Sequence, residues 1–385
     1  MRRLFILAAI ALTACSAKAP LSLEVVRSEM ARNPEASYID GLQGKLKWNY
    51  TTGLELKAML DADAASSVLN YVDAWYDAII AEDGTIGVNY KKSNYSTDHI
   101  CPGKTLFKLY ELTGKEKYRK AMDNLYAQIQ EQPRTPEGGF WHKKIYPDQM
   151  WLDGLYMAQP FYAEYTARYV PDSLKAANFA DIAHQFILVA EHTYDPATGL
   201  YRHAWDSSHK MFWCNPQTGQ SDHAWGRALG WYVMAIVDVL PFLPEDTPGR
   251  GQMLEILRGI VQKLPEYADP ATGMWYQVLD CPGREGNYTE ATASAMFVYA
   301  MLKGCRCGWL DCADYARTCY GQLLETFVSR EEGLVNLNRC CEVAGLGGKE
   351  NRSGTYDYYI NEKIRSNDPK GIGPLVWAAL EYERK

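Results

Sequence analysis

Apolar residues recur at helical spacing along most of the chain. One stretch carries Leu254, Ile256, Leu257, Ile260, Val261 and Leu264; another carries Trp231, Met234, Ala235, Val237 and Leu240 with Asp238 as a polar interruption. Both predict helices that bury an apolar stripe. Period-two alternation is brief and confined to short segments in which a glycine turn precedes extended or aromatic residues. These are Asp83-Gly84-Thr85-Ile86, Gly138-Gly139-Phe140-Trp141, Thr198-Gly199-Leu200-Tyr201, Thr272-Gly273-Met274-Trp275 and Glu332-Gly333-Leu334-Val335. From Gly84 through Gly139, Gly199 and Gly273 to Gly333 the steps are 55, 60, 74 and 60 residues, room in each for two helices and a loop. A helical hairpin with one apolar face is unstable alone, and six around an axis bury those faces without leaving an exposed end. The pattern therefore predicts an all-α fold, a six-hairpin (α/α)6 barrel or toroid, with the glycine loops gathered over the inner helix ends. An open solenoid shares this period; the lack of a polar capping repeat favours closure.

Composition narrows the choice of partner. With 47% hydrophobic residues over 385 positions the chain can build a large core, which excludes intrinsic disorder. Lys and Arg total 40 against 47 Asp and Glu, a net charge of −7, so no basic surface suits nucleic acid. The 11 Trp and 27 Tyr outnumber the 10 Phe, and rings with an apolar face and a hydrogen-bonding edge suit sugars.

The opening MRRLFILAAIALTAC has a charged start, a short apolar run and small residues before Cys15, the form of an export signal. Leu12-Thr13-Ala14-Cys15 resembles a bacterial lipobox, with an ordinary secretory signal as the alternative. The expectation is a signal peptide over 1–15, a single domain over 16–385, and a periplasm-facing or cell-surface lipoprotein of a Gram-negative-type bacterium. Its membrane contact would be a lipid on Cys15 alone. Nine further cysteines carry no CxxC spacing; free thiols are expected, with a disulfide or zinc site between Cys305 and Cys341 as lesser alternatives.

Three segments gather polar groups among aromatics. In Ser96–Lys104, Pro102 suits the first turn of a helix that runs to Leu112 and stops near Gly114, which puts Asp98 in the loop before it; a turn or cap hydrogen bond is the plain alternative to chemistry. The second joins Phe140-Trp141-His142-Lys143-Lys144 to the run from Asp148 to Ala158, with Asp148 as the expected N-cap and Asp153 early in an apolar helix. Beside Trp151, Leu152 and Leu155 an ionised acid loses hydration, so its pKa is expected to rise; a simple complement to the positive helix end is the alternative. The third joins Tyr201–Asp206, with His203, to His223–Tyr232, where Trp225 and Trp231 offer two platforms and Arg227 a planar cation. Arg227 paired to a buried carboxylate and a structural His203 are the plain alternatives. No GxSxG elbow, P-loop, HExxH or dinucleotide fingerprint occurs, and the histidines are scattered singly, so metal catalysis has little support.

At these segments the sequence resembles the unsaturated rhamnogalacturonyl hydrolases of glycoside hydrolase family 105. The resemblance rests on Asp98-His99-Ile100-Cys101-Pro102-Gly103-Lys104, on Trp151-Leu152-Asp153-Gly154-Leu155-Tyr156-Met157-Ala158, on Trp225-Gly226-Arg227-Ala228-Leu229-Gly230-Trp231, and on the closing Asn367-Asp368-Pro369-Lys370-Gly371-Ile372-Gly373-Pro374. It covers nearly all of the chain beyond the signal. Many members carry Arg-Gly-Asn-Gly-Trp where this chain has Arg227-Ala228-Leu229-Gly230-Trp231.

The resemblance implies a six-hairpin α/α barrel and an exo-acting enzyme that removes the terminal 4,5-unsaturated uronic acid from lyase-made pectin oligosaccharides, without metal or organic cofactor. It implies Asp153 as general acid and base, Asp98 as a second essential carboxylate, and substrate contacts from Tyr50, His142, Lys143, Trp151, His203, Trp225, Arg227 and Trp231. Unlike the usual two-carboxylate glycosidase scheme, the reaction implied is hydration of the C4=C5 enol ether, with Asp153 protonating C4. A donor at neutral pH needs a raised pKa, which burial and a nearby ionised Asp98 are expected to supply. Lys143 and Arg227 are expected to hold the uronate carboxylate. The alternatives are an unsaturated glucuronyl hydrolase acting on glycosaminoglycan or ulvan fragments, and a non-catalytic glycan-binding lipoprotein.

Overall fold

The computed structural model describes residues 19–384; Cys15 and the signal segment lie outside them. Twelve helices form two concentric layers. The inner layer is α2 (Tyr50–Ala62), α4 (Gly103–Thr113), α6 (Leu152–Tyr169), α8 (Gly226–Val239), α10 (Ala291–Arg306) and α13 (Pro369–Glu383). The outer layer is α1 (Leu21–Arg32), α3 (Ser66–Ile79), α5 (Glu116–Gln130), α7 (Asp172–Thr193), α9 (Arg250–Lys263) and α11 (Ala313–Phe327). Each inner helix packs on the next, and α13 packs on both α10 and α2. The ring is closed, and the open solenoid is excluded. A short α12 (Tyr356–Ile360) precedes the last inner helix.

The two layers differ in pattern for a physical reason. In α8 every residue except Asp238 is buried, because neighbours cover it on all sides; in α9 only Met253, Leu257, Ile260 and Val261 are buried, the single stripe of a surface helix.

The glycine markers fall where an outer helix hands over to the next inner helix. Each of these connections is a tight reversal closed by antiparallel pairing: Ile80 with Ile86, Arg134 with Phe140 and Ala268 with Trp275, and the strand pairs β2 (Tyr194–Asp195) with β3 (Leu200–Tyr201) and β5 (Val328–Glu331) with β6 (Leu334–Leu337). Gly84, Gly199, Gly273 and Gly333 take φ of +85°, +71°, +72° and +79°, a region hostile to a Cβ. All five reversals lie at the end where the inner helices start. Two further pairs sit there, β1 (Gln149–Trp151) with β4 (Ala204–Asp206), and β7 (Cys340–Cys341) with β8 (Ile364–Arg365).

One boundary differs from expectation. Asp148 is not the N-cap of α6: it sits in a turn at φ +62°, and β1 intervenes so that Trp151 occupies the cap position. The strand pairing that shifts this boundary is non-local and invisible to local capping rules. All nine described cysteines are free thiols, and the Cys305 and Cys312 sulfurs lie 3.3 Å apart. No described helix is long and apolar enough to cross a membrane.

Candidate active site

The start of every inner helix carries polar groups into the same end of the ring. Tyr50 opens α2, Asp98 lies in the turn before α4, Asp153 is the second residue of α6, and Arg227 is the second of α8. Glu290 and Asp368 cap α10 and α13 through their side chains. Six helix N-termini converge on this end, and the positive ends of their dipoles favour an anion there.

Hydrogen bonds between loops hold the three sequence segments in register. Thr97 N donates to His142 O at 3.1 Å, and Thr97 Oγ1 lies 3.0 Å from His142 Nδ1, which ties the Asp98 turn to the His142–Lys143 loop. Leu152 N donates to His203 O at 3.1 Å, so the first turn of α6 is tied to the residue just before β4. A Cβ on Gly154 would stand 3.0 Å from His142 Nδ1; glycine there lets the helix start press against the imidazole.

The two acids have separate partners. Asp98 Oδ2 pairs with Lys143 Nζ at 2.5 Å, and its Oδ1 lies 3.7 Å from His142 Nε2. Burial pushes the Asp98 carboxyl up, but the Lys143 ammonium and His142 win, and it is held below the usual carboxylate range. Asp153 Oδ2 lies 3.1 Å from His203 Nε2, out of line for a full hydrogen bond. On its far side His203 Nδ1 meets the Tyr359 hydroxyl at 2.7 Å. A phenol donating to Nδ1 leaves the ring proton on Nε2, facing Asp153.

The expectation of a raised Asp153 pKa is corrected here. Burial does push it up, but His203 first, then His142 and Arg227, pull it below the ordinary value. Repulsion from Asp98 is not among its main influences; His142 feels both acids and is itself held down to about 4, chiefly by burial. The surroundings therefore favour the ionised form of both carboxylates.

This arrangement predicts the pH response of a His203→Gln variant. If Asp153 must be protonated to work, activity falls as pH rises through its pKa. Removing the strongest opponent of burial raises that pKa, so the basic limb of the kcat/KM profile should move to higher pH. A limb that stays put or moves down would exclude His203 as the group that sets Asp153.

Aromatic rings back the acids. Trp151 stacks on His142 at 4.5 Å, and His203 lies 4.8 Å from Trp225. Trp225 stacks on Tyr359 at 5.8 Å and lies under the Arg227 guanidinium at 4.6 Å. Trp231 stacks on Tyr156 at 4.7 Å and meets the Tyr50 ring edge-on at 6.4 Å. Trp225, Arg227 and Trp231 are each 1% exposed, so they form the rear wall of the site. Tyr50 draws the set together: burial raises its hydroxyl pKa, and the charges of Arg227, Asp98, Asp368 and Asp153 all reach it.

A cavity of about 620 Å³ opens beside these groups, lined by Tyr50, Asp98 and Lys143 together with Lys47, Asn49, His99, Arg365 and Lys370. Asp153 is not on its lining, but its side chain keeps 13% exposure. The exposed Ile145 and Val343 also line the cavity.

Sequence reasoning missed Tyr359, which orients His203, and Glu290, whose carboxylate accepts from Ala293 N at 2.6 Å and Cys341 N at 2.8 Å. Among the described residues one trio has a metal-like arrangement, His223, Asp280 and Cys281. Asp280 there already meets His223 at 2.9 Å and Arg202 at 3.4 Å, so its charge is balanced without an ion.

Residues 21–385 match the model of Glycosyl Hydrolase Family 88. A solved glycoside hydrolase from family 105 of C. acetobutylicum ATCC 824 is 43% identical, with a TM-score of 0.88 over 95% of this chain and 99% of that one. Protein Atu3128 of Agrobacterium fabrum is 39% identical over 240 residues, 58% of this chain and 97% of its own. The unsaturated rhamnogalacturonyl hydrolase YesR of Bacillus subtilis is 27% identical over 264 residues, covering 66% of this chain and 70% of its own. The unsaturated glucuronyl hydrolase of Bacillus sp. GL1, 13% identical with a TM-score of 0.64 over 94% of this chain and 95% of that one, shares the fold. The chain therefore belongs to the glycoside hydrolases that the Family 88 model describes and that its C. acetobutylicum neighbour represents as family 105.

Proposed function

We propose that this glycoside hydrolase is exo-acting and removes the terminal 4,5-unsaturated uronic acid from lyase-made rhamnogalacturonan fragments. The observation that carries the reading is a pair of separately held carboxylates, Asp98 on Lys143 and Asp153 on His203, at a convergence of helix N-termini suited to an anionic sugar. YesR, named for this activity, supports the choice of substrate.

In this reading Asp153, once protonated, donates its proton to C4 of the C4=C5 enol ether. Positive charge develops over C5 and the ring oxygen. Water adds at C5 and gives its proton to the Asp153 carboxylate. The hemiketal formed opens at the bond between C5 and the ring oxygen, leaving a ketone at C5 and a hemiacetal at C1 that sheds the aglycone. One water is consumed, and the Asp153 proton is restored.

Hydration destroys the conjugated chromophore, so purified protein should erase the ultraviolet absorbance of an unsaturated rhamnogalacturonan disaccharide. Unchanged absorbance across a panel of unsaturated uronides would reject the reading, and selective loss with a glycosaminoglycan disaccharide would move the substrate to that class.

We further propose export and anchoring through a lipid on Cys15, on the strength of Leu12-Thr13-Ala14-Cys15. Cys15→Ser should shift the protein from the membrane fraction to the soluble one; equal partition of both forms would exclude the anchor.

A further inference from the structure

The cavity beside Asp98 contains more cations than the unsaturated sugar needs, and all but one are already engaged. Lys143 pairs with Asp98 at 2.5 Å. Arg365 pairs with Asp40 and, at 2.6 Å, with Asp368, which also holds Lys370 at 2.9 Å. Lys47 lines the same cavity, is exposed, and has no carboxylate partner among the described residues. Its charge reaches His99 on the same lining. Burial holds the His99 imidazole below its usual range against the pull of Asp98, and Lys143 and Lys47 add to the depression.

The backbone that carries Lys47 is fixed. Trp48 N donates to Asn89 Oδ1 at 2.7 Å while Asn89 Nδ2 donates back to Trp48 O at 3.0 Å. The Trp48 indole, wholly buried, donates to His99 O at 2.8 Å and stacks on Trp75 at 5.7 Å. Lys47 is thus an exposed charge on a backbone held by its neighbour.

A second observation, independent of charge, lies two residues on. Asn49 is 9% exposed and lines the cavity, yet its buried Oδ1 has no partner among the described residues. The orientation of this amide follows from its neighbour. Thr51 Oγ1 donates to the Asp40 carboxylate at 2.8 Å, an acceptor only when ionised. Thr51 can then only accept from Asn49, so the Asn49 NH2 faces Thr51 and Oδ1 is left over. A buried acceptor without a protein donor is unfavourable, and a ligand that brings a donor relieves it.

Resting on the function proposed above, we infer that Lys47 and Asn49 form a subsite for the leaving oligosaccharide, with Lys47 taking the carboxylate of an inner uronic acid and Asn49 Oδ1 accepting from a sugar hydroxyl. The unsaturated ring must lie against Asp98, on the cavity lining, and within reach of Asp153. The exposed Lys47 then falls to sugars beyond the scissile bond. A disaccharide ends before such a carboxylate, whereas a tetrasaccharide of the alternating uronate-rhamnose backbone supplies one.

The test is the ratio of kcat/KM for the unsaturated tetrasaccharide over that for the disaccharide. Lys47→Met should lower this ratio roughly tenfold, mainly through KM for the tetrasaccharide, the scale of one charge-assisted contact, and Lys47→Arg should restore much of it. A ratio unchanged by Lys47→Met overturns the subsite, whether both substrates suffer equally, as they would if Lys47 held the unsaturated uronate itself, or neither does. Trigalacturonate, which has no C4=C5 bond to hydrate, reads the subsite apart from the chemistry. If the wild type consumes neither unsaturated substrate the proposed function falls, and calorimetric titration of trigalacturonate still decides the subsite: weaker binding to Lys47→Met supports it, and equal binding overturns it.

Discussion

Asp153→Asn is expected to lower kcat about a thousandfold, within the range set by loss of a general acid, while the affinity for the unsaturated disaccharide stays within a few-fold of wild type. The amide keeps the shape of the carboxyl and its place against His203, so binding has little reason to change; what is lost is the proton for C4. The resting state sharpens this expectation. His203, His142 and Arg227 favour the ionised form of Asp153, so the proton has to be secured as substrate binds. An incoming uronate brings negative charge and removes the remaining water from a side chain only 13% exposed, and both changes favour the neutral acid. Single-turnover rates measured beside a binding isotherm separate the two effects. Substantial turnover in the variant would remove Asp153 from the role of acid, and loss of binding in step with turnover would make it a positioning group.

The ring was legible because its signal is local and repeated. Helical stripes such as Leu257, Ile260 and Val261, and recurring glycine reversals, are properties of short windows. The repeat also located the acids. Asp98 and Asp153 both stand fourteen residues beyond their marker glycines, Gly84 and Gly139, so each arrives at the start of an inner helix. Glu290 and Asp368, which cap two further inner helices, stand 17 and 35 residues beyond Gly273 and Gly333 and so fall outside that register; their sequence contexts also lack the clustered aromatics that drew attention to Asp153.

What was not legible depends on partners distant in sequence. The apolar neighbours of Asp153 correctly indicate burial, but the sign of its pKa is decided by His203, fifty residues away and delivered by β4 pairing on β1. Likewise Lys143 reads as a free cation for the substrate carboxylate until the fold shows it already holding Asp98; Arg365 and Lys370 on the same cavity also hold an acid, and Lys47 is left over. Trp225 and Trp231 look like open platforms in sequence, and their 1% exposure follows from closure of the ring around them.

Asp98→Asn is expected to cost about a hundredfold in kcat, the scale of removing one preorganised charge from a developing transition state. In the proposed reaction, protonation at C4 places positive charge on C5 and the ring oxygen, which an ionised carboxylate beside them would stabilise. Asp98 is kept ionised for this by Lys143 at 2.5 Å, in a pair whose side chains are only 17% and 23% exposed. The substitution therefore does two things at once: it removes the stabilising anion and leaves an ammonium uncompensated next to the forming cation, where little water screens it. These effects separate in a double variant. If Asp98 acts through its field, Asp98→Asn with Lys143→Met should be more active than Asp98→Asn alone, because the second change removes the opposing charge. If Lys143 instead does no more than bind the substrate carboxylate, the double variant should be worse than either single one, and KM rather than kcat should carry the loss. Steady-state constants for the four proteins of this cycle decide between a carboxylate that works by charge and one that works by contact.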